Sequence, residues 1–305
     1  MKRARLIYNP SAGREQVKRQ LPYILERLEK AEYESSSHAT TGSGDAIKAS
    51  LLASERNFDL VIAAGGDGTI NEVINGLAEQ SHRPKLGIIP AGTSNDFARE
   101  LGIPKSIDVA CDVICGGYEI PIDIGKVADK YFVNVAAGGT LTELTYEVPS
   151  KLKTIIGQMA YYVKGLEKLP DIHPFFARIE YDDNIFEGKV MLFLVLNTHS
   201  TGGIEKLAPN ASLNDGKFDL LILKESKLAD FVRVFSSAVR GQHIHDKAII
   251  YVQASNIKIK AKEEVQLNLD GEYGGLLPSQ IINLKHHFKI CVPKSRYEKY
   301  VENDS

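Results

Sequence analysis

The apolar positions in the first third of the chain alternate between two periods. Ala4 to Asn9 reads as a short apolar strand. Val17, Leu21, Ile24, Leu25 and Leu28 then recur at helical spacing. Pro22 falls inside that helix and predicts a kink or a restart near Leu21. Leu60 to Ala64 is a second buried strand and Ile70 to Leu77 a helix; Leu86 to Ile89 is another strand and Asp96 to Leu101 another helix. Nearly continuous apolar strands, each followed by a helix, predict a parallel sheet covered on both faces.

After about Asp123 the pattern changes. Tyr131 to Val135 reads as a strand. Arg178 to Tyr181 and Ile185 to Leu196 flank Asp182-Asp183-Asn184, a hairpin turn. Phe218 to Leu223 is another strand. Ile257 to Lys260 and Val265 to Leu269 alternate with period two, so each has one buried face. Ile281 to Leu284 and Phe288 to Val292 complete an antiparallel, sandwich-like set. Helical inserts are expected at Lys151 to Leu169 and at Leu228 to Arg240. The expected fold is therefore α/β plus all-β. Residues 1–122 are expected to form an α/β domain to which the tail 293–305 returns, and 123–292 a β-sandwich. No internal repeat or low-complexity stretch is visible.

Composition narrows the function classes. The chain has 305 residues, 43% hydrophobic and 25% charged, which excludes a wholly disordered or collagen-like protein. Lys+Arg is 37 against Asp+Glu 39, without the positive excess of a protein that coats nucleic acid, so no nucleic-acid partner is expected. Cys111, Cys115 and Cys291 are too few for a disulfide framework; the first two lie four apart on one expected helix face and read as core thiols. No apolar segment of signal-peptide form follows Met1-Lys2-Arg3-Ala4-Arg5. The apolar run Val190 to Leu196 is too short to span a bilayer. The expected location is the cytoplasm, with any membrane contact peripheral.

Three loops carry the chemistry. Gly65-Gly66-Asp67-Gly68-Thr69 follows a buried strand and precedes a helix. Its glycines allow positive φ and close backbone approach, and its N–H groups with the helix N-terminus can cradle an anion. Thr69 can cap the helix or donate to a phosphate. Asp67 inside such a cradle needs a cation beside it, so Mg²⁺ is implied, direct or through water. The alternative is a tight turn with an Asp cap. Asn9-Pro10-Ser11-Ala12-Gly13 is a second glycine turn after a strand. The third is Pro90-Ala91-Gly92-Thr93-Ser94-Asn95-Asp96. There Thr93, Ser94 or Asn95 can cap the helix, or Thr93 contacts phosphate or ribose and Asp96 supplies a second carboxylate. Thr40 ends the expected second strand and can reach the same ligand. Loops at the ends of adjacent parallel strands form one crevice, the usual ligand position in open α/β sheets.

Together these loops resemble the diacylglycerol-kinase catalytic domain, whose glycine motif is shared with sphingosine and ceramide kinases and more distantly with NAD kinases and phosphofructokinases. Pro149-Ser150-Lys151-Leu152-Lys153, Asn214-Asp215-Gly216 and Asp270-Gly271-Glu272-Tyr273-Gly274-Gly275 extend the resemblance across the chain, to the soluble bacterial diacylglycerol kinases of Gram-positive type. The resemblance implies a lipid kinase that uses ATP and Mg²⁺ to convert diacylglycerol to phosphatidic acid. ATP would be held by Asn9, Pro10, Ser11, Ala12, Gly13, Thr40, Gly65, Gly66, Asp67, Gly68, Thr69 and Thr93. It makes Glu272 the general base, with Asp67 and Asp96 at the catalytic Mg²⁺ and Asp270 supporting the base or binding Mg²⁺ through water. A separate structural Mg²⁺ is implied at the Asp215 carboxylate and the carbonyls of Ser212 and Lys217. A homodimer that touches the inner membrane surface transiently is also implied.

Other residues read more plainly. His243 and His245 are expected in a solvated polar loop, and His286 and His287 on the surface between strands. Lys151, Lys153, Lys164 and Lys168 accompany Ile155, Ile156, Met159, Tyr161, Tyr162 and Leu166. That helix either touches anionic lipid or packs on the sandwich with a solvated lysine face. Two rival functions remain open: a kinase of a sphingoid base, another glycerolipid or NAD, and a nucleotide- or lipid-binding protein without turnover.

Overall fold

The computed structural model describes residues 1–139, 173–202 and 204–304. The insert Lys151 to Leu169, with its lysines, and the Pro149 to Lys153 motif lie outside the described residues. The described chain divides into two compact units, residues 1–124 with 285–305, and residues 125–284.

The first unit is built on parallel strands β1 (Lys2–Tyr8), β2 (Tyr33–Ala39), β3 (Leu60–Gly65) and β4 (Lys85–Pro90) in the order β2-β1-β3-β4. Every residue of β3 is buried, as its unbroken apolar run demands of a strand covered on both sides. Helix α1 (Gln16–Arg19) ends before Pro22, which stands in the first turn of α2 (Leu21–Lys30). The restart follows because proline lacks the N–H that a helix interior needs, but a first turn does not. Helices α3 (Asp45–Glu55), α4 (Asp67–Leu77), α5 (Asp96–Glu100) and α6 (Ile107–Cys115) follow the later strands, and α8 (Lys294–Asp304) closes the chain. Cys111 and Cys291 are buried with thiols pushed up by desolvation, to about 11 and about 12, and neither they nor Cys115 form a disulfide. They are core residues, as expected. No described helix is long and apolar enough to cross a membrane.

The second unit is antiparallel. It contains β6 (Lys130–Phe132), β7 (Val135–Gly139), β8 (Phe175–Tyr181), β9 (Asn184–Leu196), β10 (Phe218–Lys224), β11 (Ile249–Ala254), β12 (Asn256–Ala261), β13 (Gln266–Leu269) and β14 (Glu272–Leu276). The strands β5 (Glu119–Val127) and β15 (Ser279–Cys291) each have one end in either unit. Helix α7 (Leu228–Val239) lies between β10 and β11 in sequence. Within the unit the order runs β14-β13-β7-β9-β8-β12-β15, and β10 joins β9 to β11. One apolar cluster gathers Phe132, Phe193, Phe218, Ile257, Leu267 and Leu269. A second gathers Leu196, Leu207, Leu221, Val234 and Ala238. The β8–β9 hairpin turns at Asp182-Asp183, with Tyr181 opposite Asn184. Asp182 takes a positive φ of 46°, as such turns require, and its carboxylate accepts from the backbone N–H groups of Ser255 and Asn256. The α/β plus all-β architecture is therefore present.

Three local expectations are corrected. Ile281 to Leu284 and Phe288 to Cys291 are not separate strands but parts of β15, which runs through His286 with a positive φ of 51° and ends one residue before Val292. Tyr131 to Val135 is not one strand: β6 and β7 are separated by a bend at Val133-Asn134. His243 is not solvated. It is 1% exposed, and its Nε2 lies 2.9 Å from the Leu207 carbonyl oxygen. A short polar loop looks exposed in sequence, but this one folds onto the second apolar cluster.

Two predictions follow from this packing. Helices α3 and α4 meet at Gly76, where an added Cβ would lie 2.3 Å from the Ile47 carbonyl oxygen and 2.1 Å from Ser50 Oγ. Gly76→Ala gains about 1 kcal/mol of helix propensity. The backbone clash outweighs it, so a net loss of about 2 kcal/mol is expected in urea unfolding. Burial holds the His243 imidazole below its ordinary value near 6.5. The unfolded chain therefore takes that proton first. The contribution of neutral His243 is complete above the unfolded value and is lost as pH falls through the folded one. His243→Gln should flatten the decline of the unfolding midpoint between pH 7.5 and 5; an unchanged slope would contradict this.

Candidate active site

The strand order reverses direction between β1 and β3: β2 lies beyond one, and β4 beyond the other. Such a switch point leaves a crevice at the carboxyl ends of the two strands. Those ends carry Asn9 to Gly13 and Gly65 to Thr69. The Asn9 N–H donates to the Ala64 carbonyl at 3.0 Å, and the Asn9 side-chain oxygen accepts from the Ser11 N–H at 3.0 Å and its hydroxyl at 2.8 Å. Gly13, Arg14 and Glu15 then take successive left-handed conformations. Thr40 leaves β2 with its N–H on the Tyr8 carbonyl at 2.9 Å, beside the first loop.

The third loop closes against the other two. The Ala91 N–H donates to the Gly65 carbonyl at 2.8 Å. A Cβ on Gly13 would lie 3.0 Å from the Ala91 carbonyl oxygen, and one on Gly92 only 2.5 Å from the Gly66 Cα. Asn95 locks this approach. It is 1% exposed, its side-chain amide donates to the Gly92 carbonyl at 2.7 Å, and its side-chain oxygen accepts from the Gly92 N–H at 3.0 Å. Asn95 takes a left-handed φ of 53°, and its own N–H donates to Asp67 Oδ2 at 2.8 Å. The cap of α5 therefore comes from Asp67, on another helix. Neither α4 nor α5 has a side-chain cap from its own N-cap residue; Gly66 holds that place on α4. Thr69 thus does not cap α4 and lies in its first turn.

Asp67 is the electrostatic centre of these loops. Desolvation first, and then the nearby Asp96 charge, push its carboxyl above the usual range, while the amides of Asn95, Asp96 and Phe97 pull the other way. Its Oδ1 is buried and has no hydrogen-bond partner. A buried acceptor left bare is costly, and a nearby cation would offset both the burial and the Asp96 charge. These residues therefore fit a divalent ion. Asp96 is nearly buried and pairs with Arg99 at 2.5 Å, a partner the sequence reading lacked. Lys105 also went unrecognised; its Nζ donates to the Thr93 carbonyl at 2.8 Å and braces the third loop. Glu72 caps α3 through the N–H groups of Gly44 and Ala46.

The remaining candidates belong to the second unit. Asp270 accepts from three backbone amides at the β6–β7 bend: Val133 at 2.7 Å, Asn134 at 2.9 Å and Val135 at 2.9 Å. Asn268 Oδ1 accepts from the Gly271 N–H at 2.8 Å, so the turn that presents Glu272 is pinned on both sides. Glu272 itself is exposed at the start of β14. Asp215 Oδ1 accepts from the Lys217 N–H at 2.9 Å, and the Lys217 carbonyl accepts from Asn283 at 3.3 Å. The Ser212 hydroxyl donates to Asn214. Desolvation raises the buried Asp219 carboxyl, and the Asp215 charge adds a smaller push in the same direction. No group of three or more His, Cys, Asp or Glu side chains able to hold a metal occurs among the described residues.

A parallel α/β unit with three glycine loops at its switch point, followed by an antiparallel unit, is the class of fold present. Comparison with known proteins agrees and is more specific. Residues 3–127 match the diacylglycerol kinase catalytic domain, and residues 141–294 match the YegS C-terminal NAD kinase beta sandwich-like domain. The chain is 57% identical over 300 residues to a diacylglycerol kinase of Bacillus subtilis strain 168, covering 98% of this chain and 99% of that one. It is 52% identical over 305 residues to a diacylglycerol kinase of Staphylococcus epidermidis, covering 100% and 96%. A crystal structure of a diacylglycerol kinase from Bacillus anthracis str. Sterne superposes with a TM-score of 0.81 at 30% identity, covering 96% of this chain and 98% of that one. The chain belongs to the diacylglycerol kinase family and is a kinase.

The loop contacts give a direct test. Gly92→Ala should push the Gly65–Thr69 and Pro90–Asp96 loops apart without unfolding the buried sheet. ATP affinity, read by calorimetry, should fall at least tenfold, about 1.4 kcal/mol, and the thermal midpoint should fall while the variant still unfolds cooperatively.

Proposed function

We propose that this protein phosphorylates 1,2-diacylglycerol to phosphatidic acid with ATP as the phosphoryl donor. The observation that carries the reading is Asp67 Oδ1, buried and unpaired among three glycine loops at the switch point, in a chain of this family. Residues 1–122, with the tail 293–305, serve as the ATP-binding domain and 123–292 as the lipid domain. Asn9 to Gly13, Thr40, Gly65 to Thr69 and Thr93 bind and orient ATP, mainly through backbone N–H groups. Asp67 and Asp96 hold Mg²⁺, directly or through water, and the bound ion offsets the phosphate charge. Glu272 takes the proton of the primary hydroxyl as that oxygen attacks the γ-phosphorus; the bond from phosphorus to the bridging oxygen breaks and ADP leaves. Asp270, whose oxygens hold the backbone of Val133 to Val135, fixes the turn that carries this base.

A second, structural Mg²⁺ at the Asp215 carboxylate and the carbonyls of Ser212 and Lys217 is carried by the family resemblance. The substrate lies in a bilayer, so the enzyme meets the inner membrane surface transiently, from the cytoplasm. The family resemblance also carries a homodimer, which light scattering reads.

An ATP-dependent assay over diacylglycerol, sphingoid bases, other glycerolipids and NAD, with and without Mg²⁺, tests the assignment. Phosphatidic acid should be the main product and should require the metal; preferential labelling of NAD or a sphingoid base would overturn it. Glu272→Gln should keep ATP binding and fold while turnover falls about 10²- to 10⁴-fold. Near wild-type turnover in that variant would remove Glu272 from the mechanism.

A further inference from the structure

The residues assigned to ATP include no lysine or arginine. Asn9 to Gly13, Thr40, Gly65 to Thr69 and Thr93 are all neutral except Asp67, which is acidic. A triphosphate carries more negative charge than one divalent ion cancels, and the carboxylates of Asp67 and Asp96 add to the excess. Phosphoryl-transfer sites meet such charge with cationic side chains as well as metal. The first unit holds two that are placed for it.

The chain brings them there by turning back on itself. Helix α5 ends at Glu100, and Gly102 redirects the path with a φ of +72°. The Ile103 N–H donates to the Ala98 carbonyl at 2.8 Å and the Ile103 side chain is buried, which anchors the return. Lys105 therefore arrives beside the start of the helix it follows, and its Nζ donates to the Thr93 carbonyl at 2.8 Å. Arg99, on α5 itself, donates from Nη2 to the carbonyl of the next residue, Ser94, at 3.1 Å, and to Asp96 Oδ1 at 2.5 Å. Two cations thus converge on adjacent carbonyls of one loop, directly after the Gly92 that lies against Gly66. Consecutive Cα atoms are about 3.8 Å apart, so both heads sit within a residue or two of the glycine crevice.

The loop does not depend on them. Asn95 is 1% exposed, and it already bonds Gly92 in both directions and Asp67. Lys105 is exposed and the Arg99 side chain is 43% exposed, and fixing such long side chains on a carbonyl costs entropy. Neither head is exhausted by its present bonds. Arg99 donates only through Nη2, so its Nε and Nη1 have no partner among the described residues. A phosphate oxygen carries charge that a carbonyl lacks, and both heads gain by bonding one.

We infer that Lys105 and Arg99 contact the phosphates of the bound nucleotide, and that the carbonyls of Thr93 and Ser94 hold them ready at the rim of the crevice until it arrives. The inference rests on the reading of these loops as the ATP site. Lys105 swings from the Thr93 carbonyl to a phosphate oxygen. Arg99 offers Nε and Nη1 to phosphate while Nη2 stays on Asp96, so it serves the ligand without abandoning the acid.

The test is calorimetric binding of ATP and of adenosine to the full chain, each with Mg²⁺ present. Lys105→Met should weaken ATP binding about fivefold and leave adenosine, which has no phosphate, within about twofold. Lys105→Met/Arg99→Gln should weaken ATP binding about fiftyfold, again sparing adenosine. Added salt should weaken ATP binding less in that double variant than in wild type. Lys105→Arg keeps the charge and should bind ATP within about twofold of wild type. In turnover the KM for ATP should rise, with the KM for diacylglycerol within about twofold. Equal losses of ATP and adenosine affinity would make Lys105 a brace of the loop and overturn the contact, as would unchanged ATP affinity in Lys105→Met. Wild type that binds no ATP is a different failure: it overturns the nucleotide reading, and the inference falls with its premise.

Discussion

The loops of the first unit depend on one steric fact: the backbones at Gly66 and Gly92 approach so closely that a Cβ on Gly92 would lie 2.5 Å from the Gly66 Cα. This contact draws the loop after β4 onto the loop after β3. It delivers Asn95 to a position where its amide bonds Gly92 in both directions and its N–H reaches Asp67. It also strips water from Asp67 and sets Asp96 near it. The raised carboxyl of Asp67 is thus a consequence of packing, not of an unusual residue. The crevice comes from strand order, its tightness from glycine, and its charge from the two acids that tightness buries.

The second unit handles a carboxylate in the opposite way. Asp270 is fully used by the chain: three backbone amides converge on it and stop β6 and β7 from running as one strand. Carboxylate hydrogen bonds of this kind are strong, and each amide would otherwise need a partner of its own. Asp67, by contrast, keeps one oxygen bare. Both acids sit in glycine-containing turns next to strands, and only their hydrogen bonding tells them apart. One holds structure and leaves its neighbour Glu272 exposed; the other keeps capacity for a ligand.

That difference marks how much could be read from the sequence. Strands such as Leu60 to Ala64 were legible because burial on both faces leaves an unbroken apolar run, and the helix restart at Pro22 because proline acts locally. The three loops were legible because glycine at a strand end has few other uses. Asn95 was not, since its effect depends on Gly92 and Asp67 meeting in space, and Asp67 is 28 residues away. The β6–β7 bend was hidden for the same reason: its cause lies 137 residues along the chain, in Asp270. β15 was read as two strands because Lys285 and His286 are exposed. Polar residues on an exposed stretch of a strand look like a loop when the pattern is read alone. His243 reversed the error: a polar residue in a short polar segment was buried by neighbours distant in sequence.

The sequence Asp270-Gly271-Glu272-Tyr273-Gly274-Gly275 shows how one short segment can carry several tasks with little interference. Asp270 and Gly271 bind backward, to the bend and to Asn268. Glu272 stands at the first position of an edge strand, where a side chain stays reachable without a pocket of its own. Gly274 and Gly275 then spend one extra residue to change which face the next side chain takes. Such a bulge costs ladder hydrogen bonds, and glycine adds backbone entropy to the cost of folding. Packing gains nothing in return, because both residues brought together, Tyr273 and Leu276, remain exposed.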